Sequence, residues 1–387
     1  MVNQRRTYTA ARRSRASLIV LIVLALLLMI AAIVLAASLP DEIDLPDETM
    51  PVLAQPVLDT GYEVDQLQAQ NTWPHGEGAV RLTNNQLTYL NIQGQEIFSG
   101  QAELTAPFCV QAGDYLLAAD RDGHNYVMID KNRVLYSGNL AGRIVGAAVR
   151  EDGWLALIED QTDGHGIVRV YEPVTGLKLF DCYFPESGYV LNVAFSPNED
   201  VFDVALINTD GSSVQPVYKR YGLDGKELGQ LMPEDATIMP MLAYDSFSQI
   251  TAAGQNFITG MDYNNDQPVY VKNFSEIRTM ADYDDGLLLL ANERQGDKWS
   301  LYLKTELDNW SDGYEAGEDI TLPAIRGNRL AIGSGTRIKV FDLKKREWLL
   351  DQNLAVEIVR VGFATDDALT VVTQDGVHRL SLSQMEE

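Results

Sequence analysis

Cysteine is nearly absent from this sequence, which has two cysteines in 387 residues. A disulfide-rich scaffold is therefore excluded, and so is a lipid-modified cysteine beside an N-terminal signal, because the first cysteine is Cys109. Cys109 and Cys182 both lie in apolar, strand-like stretches. We expect them to be unpaired, largely buried thiols that act as small hydrophobic side chains.

Histidine is also scarce, and its spacing excludes the common zinc motifs. The four histidines are His75, His124, His165 and His378. None has a second His or a Glu at the helical spacing that a zinc site needs, and His124 and His165 follow Asp/Gly turns. We interpret these two as turn residues rather than metal ligands.

Motifs for nucleophilic and phosphate chemistry are missing as well. No serine occupies a Gly-x-Ser-x-Gly elbow, and Gly333-Ser334-Gly335 is followed by no Lys-Ser/Thr pair or helix. We therefore assign no catalytic, cofactor-binding or metal-binding residue and no cofactor, and we favour a protein that is not an enzyme.

Two acidic turns are the remaining candidates for a metal site. Residues 262–266 alternate oxygen-bearing side chains as a calcium loop does, but Gln267 and Asn273 stand where an EF-hand has Gly and Glu. Residues 282–286 form the second acidic turn. We interpret both as solvated β-turns. With 55 acidic residues in the chain, carboxylate pairs of the kind that cleave glycosides stay an open alternative.

Basic residues are outnumbered by acidic ones and are unevenly placed. Five arginines fall within residues 1–16, which contain no acidic residue, and residues 18–37 form an uncharged apolar run. At ~1.5 Å per residue this run is ~30 Å long as a helix, about the thickness of a bilayer's hydrocarbon core. Because a backbone in lipid must satisfy its own hydrogen bonds, we predict a transmembrane helix over residues 17–38 that contacts the lipid bilayer.

Orientation follows from the arginines, because basic flanks stay on the cytoplasmic side. We predict a single-pass cell-membrane protein with residues 1–16 as a cytoplasmic tail and the C-terminal domain extracytoplasmic. The alternative is a signal peptide cleaved near Ala36, Ala37 and Ser38. Signal-peptide apolar regions are usually about 7–15 residues long, which favours the uncleaved anchor.

The chain beyond the anchor is strongly acidic, since the whole chain has a formal net charge of −25 and five of its 30 basic residues lie in the tail. Such a domain repels nucleic acid, so we expect no nucleic-acid partner. A partner in the cell envelope, either a protein or the cell wall, is expected instead. Residues 39–70 combine regularly spaced prolines with acidic residues, and we interpret them as an extended stalk.

Residues 71–387 have the composition of an all-β domain, with short runs of Val, Ile, Leu, Tyr and Phe between Gly, Asn and Asp turns. Similar units restart roughly every 40 to 48 residues, the period of four-stranded propeller blades. The clearest units are residues 115–138, 154–181, 202–231, 287–303 and 330–350, with partial units at 80–98 and 368–382. Residues 248–274 are the least regular.

The repeat predicts a β-propeller of four-stranded blades, with eight blades favoured and seven as the alternative. The second choice of fold is a pair of β-sandwiches, whose strands are less regularly spaced. The last unit supplies about three strands, so we expect residues 61–70 to supply the fourth and close the ring.

Residues 170–180, VYEPVTGLKLF, resemble the strand–turn–strand signature of WD40-like, YVTN-like and quinoprotein-like propellers. Phe180 stands where quinoprotein propellers place a tryptophan that docks one blade on the next, and no Gly-His…Trp-Asp pair of a true WD40 repeat is present. We predict a positive φ at Gly176 and a Phe180 side chain directed at the neighbouring blade.

The layout of basic tail, helix and outer repeats is similar to that of a family of bacterial membrane-anchored propellers known as domain of unknown function 5711. The likeness is strongest over residues 115–158. The resemblance implies a cell-envelope setting, of the Gram-positive kind, and carries over no activity and no catalytic residue.

Three functions are open at this point. The leading hypothesis is a membrane-anchored, extracytoplasmic and non-catalytic module that binds proteins or ligands, or acts as a scaffold. The alternative is an envelope enzyme that acts on glycans or peptides through carboxylates in the central funnel of the ring. A third is a sensor ectodomain, although residues 1–16 leave little room for an output domain.

Overall fold

The computed structural model describes residues 58–382, apart from 162–164, 186–187, 210, 234–236, 246–247, 265–268 and 305–308. Within these residues the fold is all-β, with a single five-residue helix, α1 (Gln66–Gln70). No helix in this part of the chain combines the length and the apolar character needed to span a bilayer. The predicted membrane segment at residues 17–38 lies outside the described residues.

The strands form eight four-stranded antiparallel sheets, each built from consecutive strands except the last. Blade 1 contains β2 (Thr72–His75), β3 (Gly78–Leu82), β4 (Gln86–Asn91) and β5 (Glu96–Gln101). Blade 2 contains β6 (Pro107–Ala112), β7 (Tyr115–Asp120), β8 (Asn125–Asp130) and β9 (Val134–Asn139). Blade 3 contains β10 (Arg143–Val149), β11 (Leu155–Asp160), β12 (Gly166–Tyr171) and β13 (Lys178–Tyr183). Blade 4 contains β14 (Tyr189–Phe195), β15 (Val201–Asn208), β16 (Gln215–Gly222) and β17 (Glu227–Leu231).

The second half of the ring repeats the same order. Blade 5 contains β18 (Met241–Tyr244), β19 (Ile250–Ala253), β20 (Phe257–Gly260) and β21 (Tyr270–Asn273). Blade 6 contains β22 (Glu276–Tyr283), β23 (Gly286–Asn292), β24 (Trp299–Lys304) and β25 (Tyr314–Gly317). Blade 7 contains β26 (Ala324–Arg326), β27 (Arg329–Ser334), β28 (Arg337–Asp342) and β29 (Glu347–Asn353). Blade 8 contains β30 (Ile358–Thr365), β31 (Ala368–Thr373), β32 (Gly376–Ser381) and, from the other end of the chain, β1 (Leu58–Glu63).

This arrangement confirms the predicted all-β propeller and its eight blades. The units recognised at residues 80–98, 115–138, 154–181, 202–231 and 330–350 correspond to the second, third and fourth strands of their blades. The units at 287–303 and 368–382 contain only the second and third strands, and blade 5 coincides with the least regular stretch. These strands alternate buried and exposed side chains or are buried on both faces, as β11 and β23 are, which is why their sequences are so apolar.

Ring closure differs in detail from the sequence-based expectation. The closing strand is β1, which pairs antiparallel with β32 from Leu58 opposite Leu380 to Glu63 opposite Gly376. It begins earlier than residue 61 and ends before residue 70, so the ring starts inside the segment predicted to be the stalk. Residues 66–70 form α1 instead, because Asp65 makes a capping box with Gln68, its Oδ1 accepting from the Gln68 N–H at 2.8 Å.

The hydrophobic core is divided among the blade interfaces. The described residues form eight apolar clusters, and each joins two neighbouring blades, including blade 8 with blade 1. In the cluster between blades 8 and 1, Ala69 of α1 and Ala79 of β3 pack with Val372 and Val377. A blade therefore buries its faces only against its neighbours, as expected for a repeat architecture.

The first strands of the blades surround the central channel, with contacts from β6 to β10, β10 to β14, β14 to β18, β18 to β22 and β30 to β2. Cys109 lies on one of these strands, β6, and is partly buried, whereas Cys182 on β13 is buried. Both are free thiols, as predicted. Burial raises the pKa of each, so both stay protonated and unreactive at neutral pH.

Candidate functional site at the mouth of the central channel

Acidic side chains gather at one end of the channel. The strands alternate in direction within each blade, so the turn between the first and second strands of every blade lies at the same end of the ring. We call this end the acidic mouth. It is formed by exposed residues of these turns, namely Glu77, Asp114, Glu151, Asp152, Glu199, Asp200, Asp284, Asp285, Asp366 and Asp367.

Several of these carboxylates form ion pairs that join neighbouring blades. Arg150 of blade 3 pairs with Asp152 of its own turn at 2.6 Å and with Asp200 of blade 4 at 3.5 Å. Arg326 of blade 7 donates to Asp366 of blade 8 at 2.6 Å. Exposed pairs of this kind contribute about 0–1 kcal/mol each. We interpret them as positioning the turns rather than as the main source of stability.

Two carboxyl groups have raised pKa values, namely Glu151 in the mouth and Asp282, which lies near the end of β22 just before the acidic turn of blade 6. Both residues keep solvent-exposed surface, but desolvation by the surrounding protein raises the pKa of each. The charges of Asp282 and Asp284 raise the pKa of Glu151 further, and Arg326 acts in the opposite direction. Carboxyl groups of blades 3 and 6 therefore interact electrostatically across the channel.

The chemistry available at this mouth is that of convergent carboxyl groups. A raised pKa keeps a carboxyl group protonated over a wider pH range, which is the property of a general acid, whereas an ionised neighbour attracts a cationic group. In the described part of the chain, no group of three or more His, Cys, Asp or Glu side chains is arranged to hold a metal ion.

The four histidines lie in four different blades and do not come together. His124 lies in the turn before β8, and its Nδ1 is 2.8 Å from the Gly142 carbonyl oxygen. His165 lies before β12 with its ring against Tyr183. His124 thus occupies a turn, as the sequence indicated, whereas the turn expected before His165 lies at residues 162–164, outside the described residues. His378 is on β32, with Nε2 3.0 Å from the Thr373 hydroxyl, and His75 at the end of β2 is buried.

The two acidic turns have separate locations. Residues 282–286 join β22 to β23, which brings Asp284 and Asp285 to the acidic mouth. The turn at residues 262–264 follows β20, and the Asp262 carboxylate accepts from the Asn264 backbone N–H at 2.9 Å, as in an Asx turn. Residues 265–268 lie outside the described residues.

A buried polar network was not identified from the sequence. Asp203 of blade 4 accepts from Arg220 Nη2 at 3.0 Å and from the Tyr263 hydroxyl of blade 5 at 2.5 Å, and Tyr244 also donates to it. Asp203 is fully buried in β15. The available signal was an aspartate in the middle of the apolar run VFDVALIN, a pattern that demands a buried partner.

The closed ring and its channel define the chain as a β-propeller. The chain belongs to the family of unknown function DUF5711, whose model matches residues 58–382. No match is found among curated proteins.

Solved structures share the fold at low sequence identity. The computationally designed Ika8 protein has a TM-score of 0.56 at 17% identity. BamB from Moraxella catarrhalis has a TM-score of 0.50 at 12% identity, and Sqt1 from Saccharomyces cerevisiae has a TM-score of 0.58 at 9% identity. Each comparison covers 84% of this chain and 99% of the other. Identities this low indicate a common fold and carry no function over.

Proposed function

We propose that this protein is a membrane-anchored, extracytoplasmic scaffold that binds protein partners in the bacterial cell envelope without catalysing a reaction. The observation that supports this most is the acidic mouth, where turns from most of the blades present carboxylates on one rigid ring. A surface of one sign steers and selects partners of the opposite sign. A basic segment of an envelope protein is the partner that this surface suits.

The anchor is supported by the sequence alone, through the apolar run at residues 18–37 and the arginines that precede it. We expect a reporter that is active only outside the cytoplasm to work when fused after Glu387. We also expect the mature protein to retain residues 1–38. A soluble species that begins near Ala37 or Leu39 would show secretion rather than anchoring.

The scaffold is tested by crosslinking the intact protein in its own cells and identifying the crosslinked neighbours. We expect a small set of envelope proteins, with a severalfold lower yield for Asp282→Asn. Glu276→Gln is the matched control, because it removes one charge from the opposite end of the same strand, β22. Equal yields for the two variants would show that the mouth is not the docking surface.

A second function is favoured by one observation, the pair of carboxyl groups with raised pKa values, Glu151 and Asp282. Such a pair suits an envelope hydrolase in which one group acts as the general acid and the other as base or nucleophile. The test is incubation of the full chain with peptidoglycan from the same cells. If the unmodified chain releases soluble fragments and the Glu151→Gln variant does not, the protein is an enzyme. If the unmodified chain releases none, the hydrolase function is rejected and the scaffold function is retained.

A further inference from the structure

A groove of about 440 Å³ lies at the periphery of the ring between blades 5 and 6, away from the channel. One side is Lys272 on β21, the outermost strand of blade 5. The other side is blade 6, with Tyr302 on β24 and Trp310 in the loop before β25. Acidic groups stand around it, namely Glu293, Asp297 and Asp312.

Three aromatic rings enclose the Lys272 ammonium group. Its Nζ lies 5.3 Å from the centre of the Phe274 ring, 5.3 Å from that of Tyr302 and 5.9 Å from that of Trp310. Phe274 and Tyr302 meet edge to face with their centres 5.0 Å apart, which holds two walls of this cage in place. The cage is thus built for a cation and is filled by a side chain of the protein itself.

The contacts of Lys272 are weaker than those of Lys298, the other lysine that lines the groove. Lys298 pairs with Glu315 at 2.7 Å. Lys272 forms no ion pair with any described residue. A cation–π contact at a partly exposed site contributes about 0.5–1 kcal/mol. Because the lysine stem is flexible, the ammonium group can leave the cage for water at little cost.

The groove still attracts positive charge while Lys272 occupies it. Lys298 is neutralised by Glu315, so the three carboxylates around the groove outnumber its single unpaired ammonium group.

We propose that the groove is a recognition site for a lysine or arginine side chain of a partner protein, which displaces Lys272 from the cage of Phe274, Tyr302 and Trp310. The inference rests on the proposed scaffold function and names the chemistry of the partner. The incoming cation contacts the same three rings and gains the rim carboxylates, which Lys272 does not pair with. An anion is disfavoured by the rim charge.

The test is calorimetric titration of the full chain in detergent with a blocked hexalysine peptide. Lys272→Met removes the internal competitor and keeps the apolar stem, so we expect binding about two- to fivefold tighter than to the unmodified protein. Lys298→Met is the matched control, because it removes the same charge from the same groove outside the cage. We expect its effect to be smaller. Trp310→Leu, added to Lys272→Met, should abolish the gain.

Equal tightening by Lys272→Met and Lys298→Met would show general attraction to an acidic surface, and it would overturn the cage assignment. So would binding that Trp310→Leu leaves unchanged in a variant whose melting temperature is unaltered. If crosslinked envelope partners persist in the Trp310→Leu protein while peptide binding shows no cage dependence, the scaffold function stands and only the groove assignment fails.

Discussion

At the scale of single residues, buried polar groups sit where one blade meets the next. Asp203 of blade 4 accepts from Tyr263 of blade 5, and Lys304 of blade 6 donates to Asp245 of blade 5 at 2.8 Å. Leaving one member of such a pair alone costs about 3–5 kcal/mol, because a buried charge then lacks its partner. These pairs therefore specify which blade packs against which, whereas uniform apolar packing does not distinguish one neighbouring blade from another.

His75 makes stability depend on acid pH. It is 1% exposed, and Gln111 and the Asp130 backbone approach its ring without forming hydrogen bonds of good geometry. Burial lowers its pKa from 6.5 to about 4, with Asp114 acting in the opposite direction. The folded state disfavours the protonated ring. The contribution of neutral His75 to the free energy of unfolding is therefore fully present above pH ~6.5 and is lost as the pH falls toward 4. We expect a loss of about 2–3 kcal/mol between pH 7 and 4.5 from this residue.

The measurement is chemical unfolding at the two pH values. His75→Leu should flatten the difference, whereas His124→Gln, a substitution in a turn, should leave it unchanged. A His75→Leu protein with the original pH dependence would assign the acid sensitivity to other groups.

At the scale of strands and turns, an aromatic side chain from the outer strand of one blade packs on a glycine in the last hairpin turn of the next. Tyr136 of β9 lies over Gly176, and Phe180 of β13 lies over Gly225. Both glycines have positive φ, 66° and 82°. Gly176 confirms the predicted conformation, and the stacking of Phe180 on Phe202 of blade 4, with centres 6.3 Å apart, confirms the predicted direction. Glycine is required at these positions for two reasons: the turn needs a positive φ, and a Cβ would collide with the aromatic ring that packs on the turn.

Substitutions in this hairpin should separate the two requirements. Phe180→Ala removes a partly buried ring from the interface, and we expect a loss of about 2–4 kcal/mol in unfolding free energy. Lys178→Ala, on the same strand but exposed, should cost about 0.5 kcal/mol or less. Backbone strain alone would cost about 1–2 kcal/mol for Gly176→Val. A Cβ there would also lie 2.4 Å from the Tyr136 ring, so we expect a cost at least equal to that of Phe180→Ala.

Denaturant titration of the three variants checks this order. A Lys178→Ala protein as unstable as Phe180→Ala would show that the register of β13 is inverted. A small loss of unfolding free energy in the Gly176→Val variant would show that the Tyr136 ring moves aside.

At the scale of the whole molecule, closure joins the two ends of the described chain. β1 completes blade 8, and Ala69 of α1 is fully buried in the cluster between blades 8 and 1. Since each blade is stabilised by its neighbours, an open interface weakens the entire ring rather than one sheet.

Deletion of residues 57–70 should therefore lower the melting temperature of the whole domain in a single transition. Deletion of residues 41–54, within the predicted stalk, is the control and should leave the transition unchanged. An unaltered melting temperature after the first deletion would contradict closure through β1.

The sequence alone determined the features that depend on neighbouring residues. Strand runs, glycine turns and their spacing predicted an all-β ring of eight blades, because alternation and turn chemistry act over a few residues. Residues 61–70 were expected to form the closing strand, but the structure places that strand at Leu58–Glu63 and a helix at Gln66–Gln70. Composition near the N-terminus likewise predicted the anchor over residues 17–38, which remains a prediction.

Only the tertiary structure decided which distant groups meet. Glu151 and Asp282 belong to different blades, and so do Lys272 and Trp310, and no local pattern marks either pair among so many acidic and aromatic residues. Their approach depends on the curvature and closure of the ring, to which every blade interface contributes. The acidic mouth and the lysine cage are therefore properties of the assembled propeller, because electrostatic and ring contacts depend on distance in space rather than along the chain.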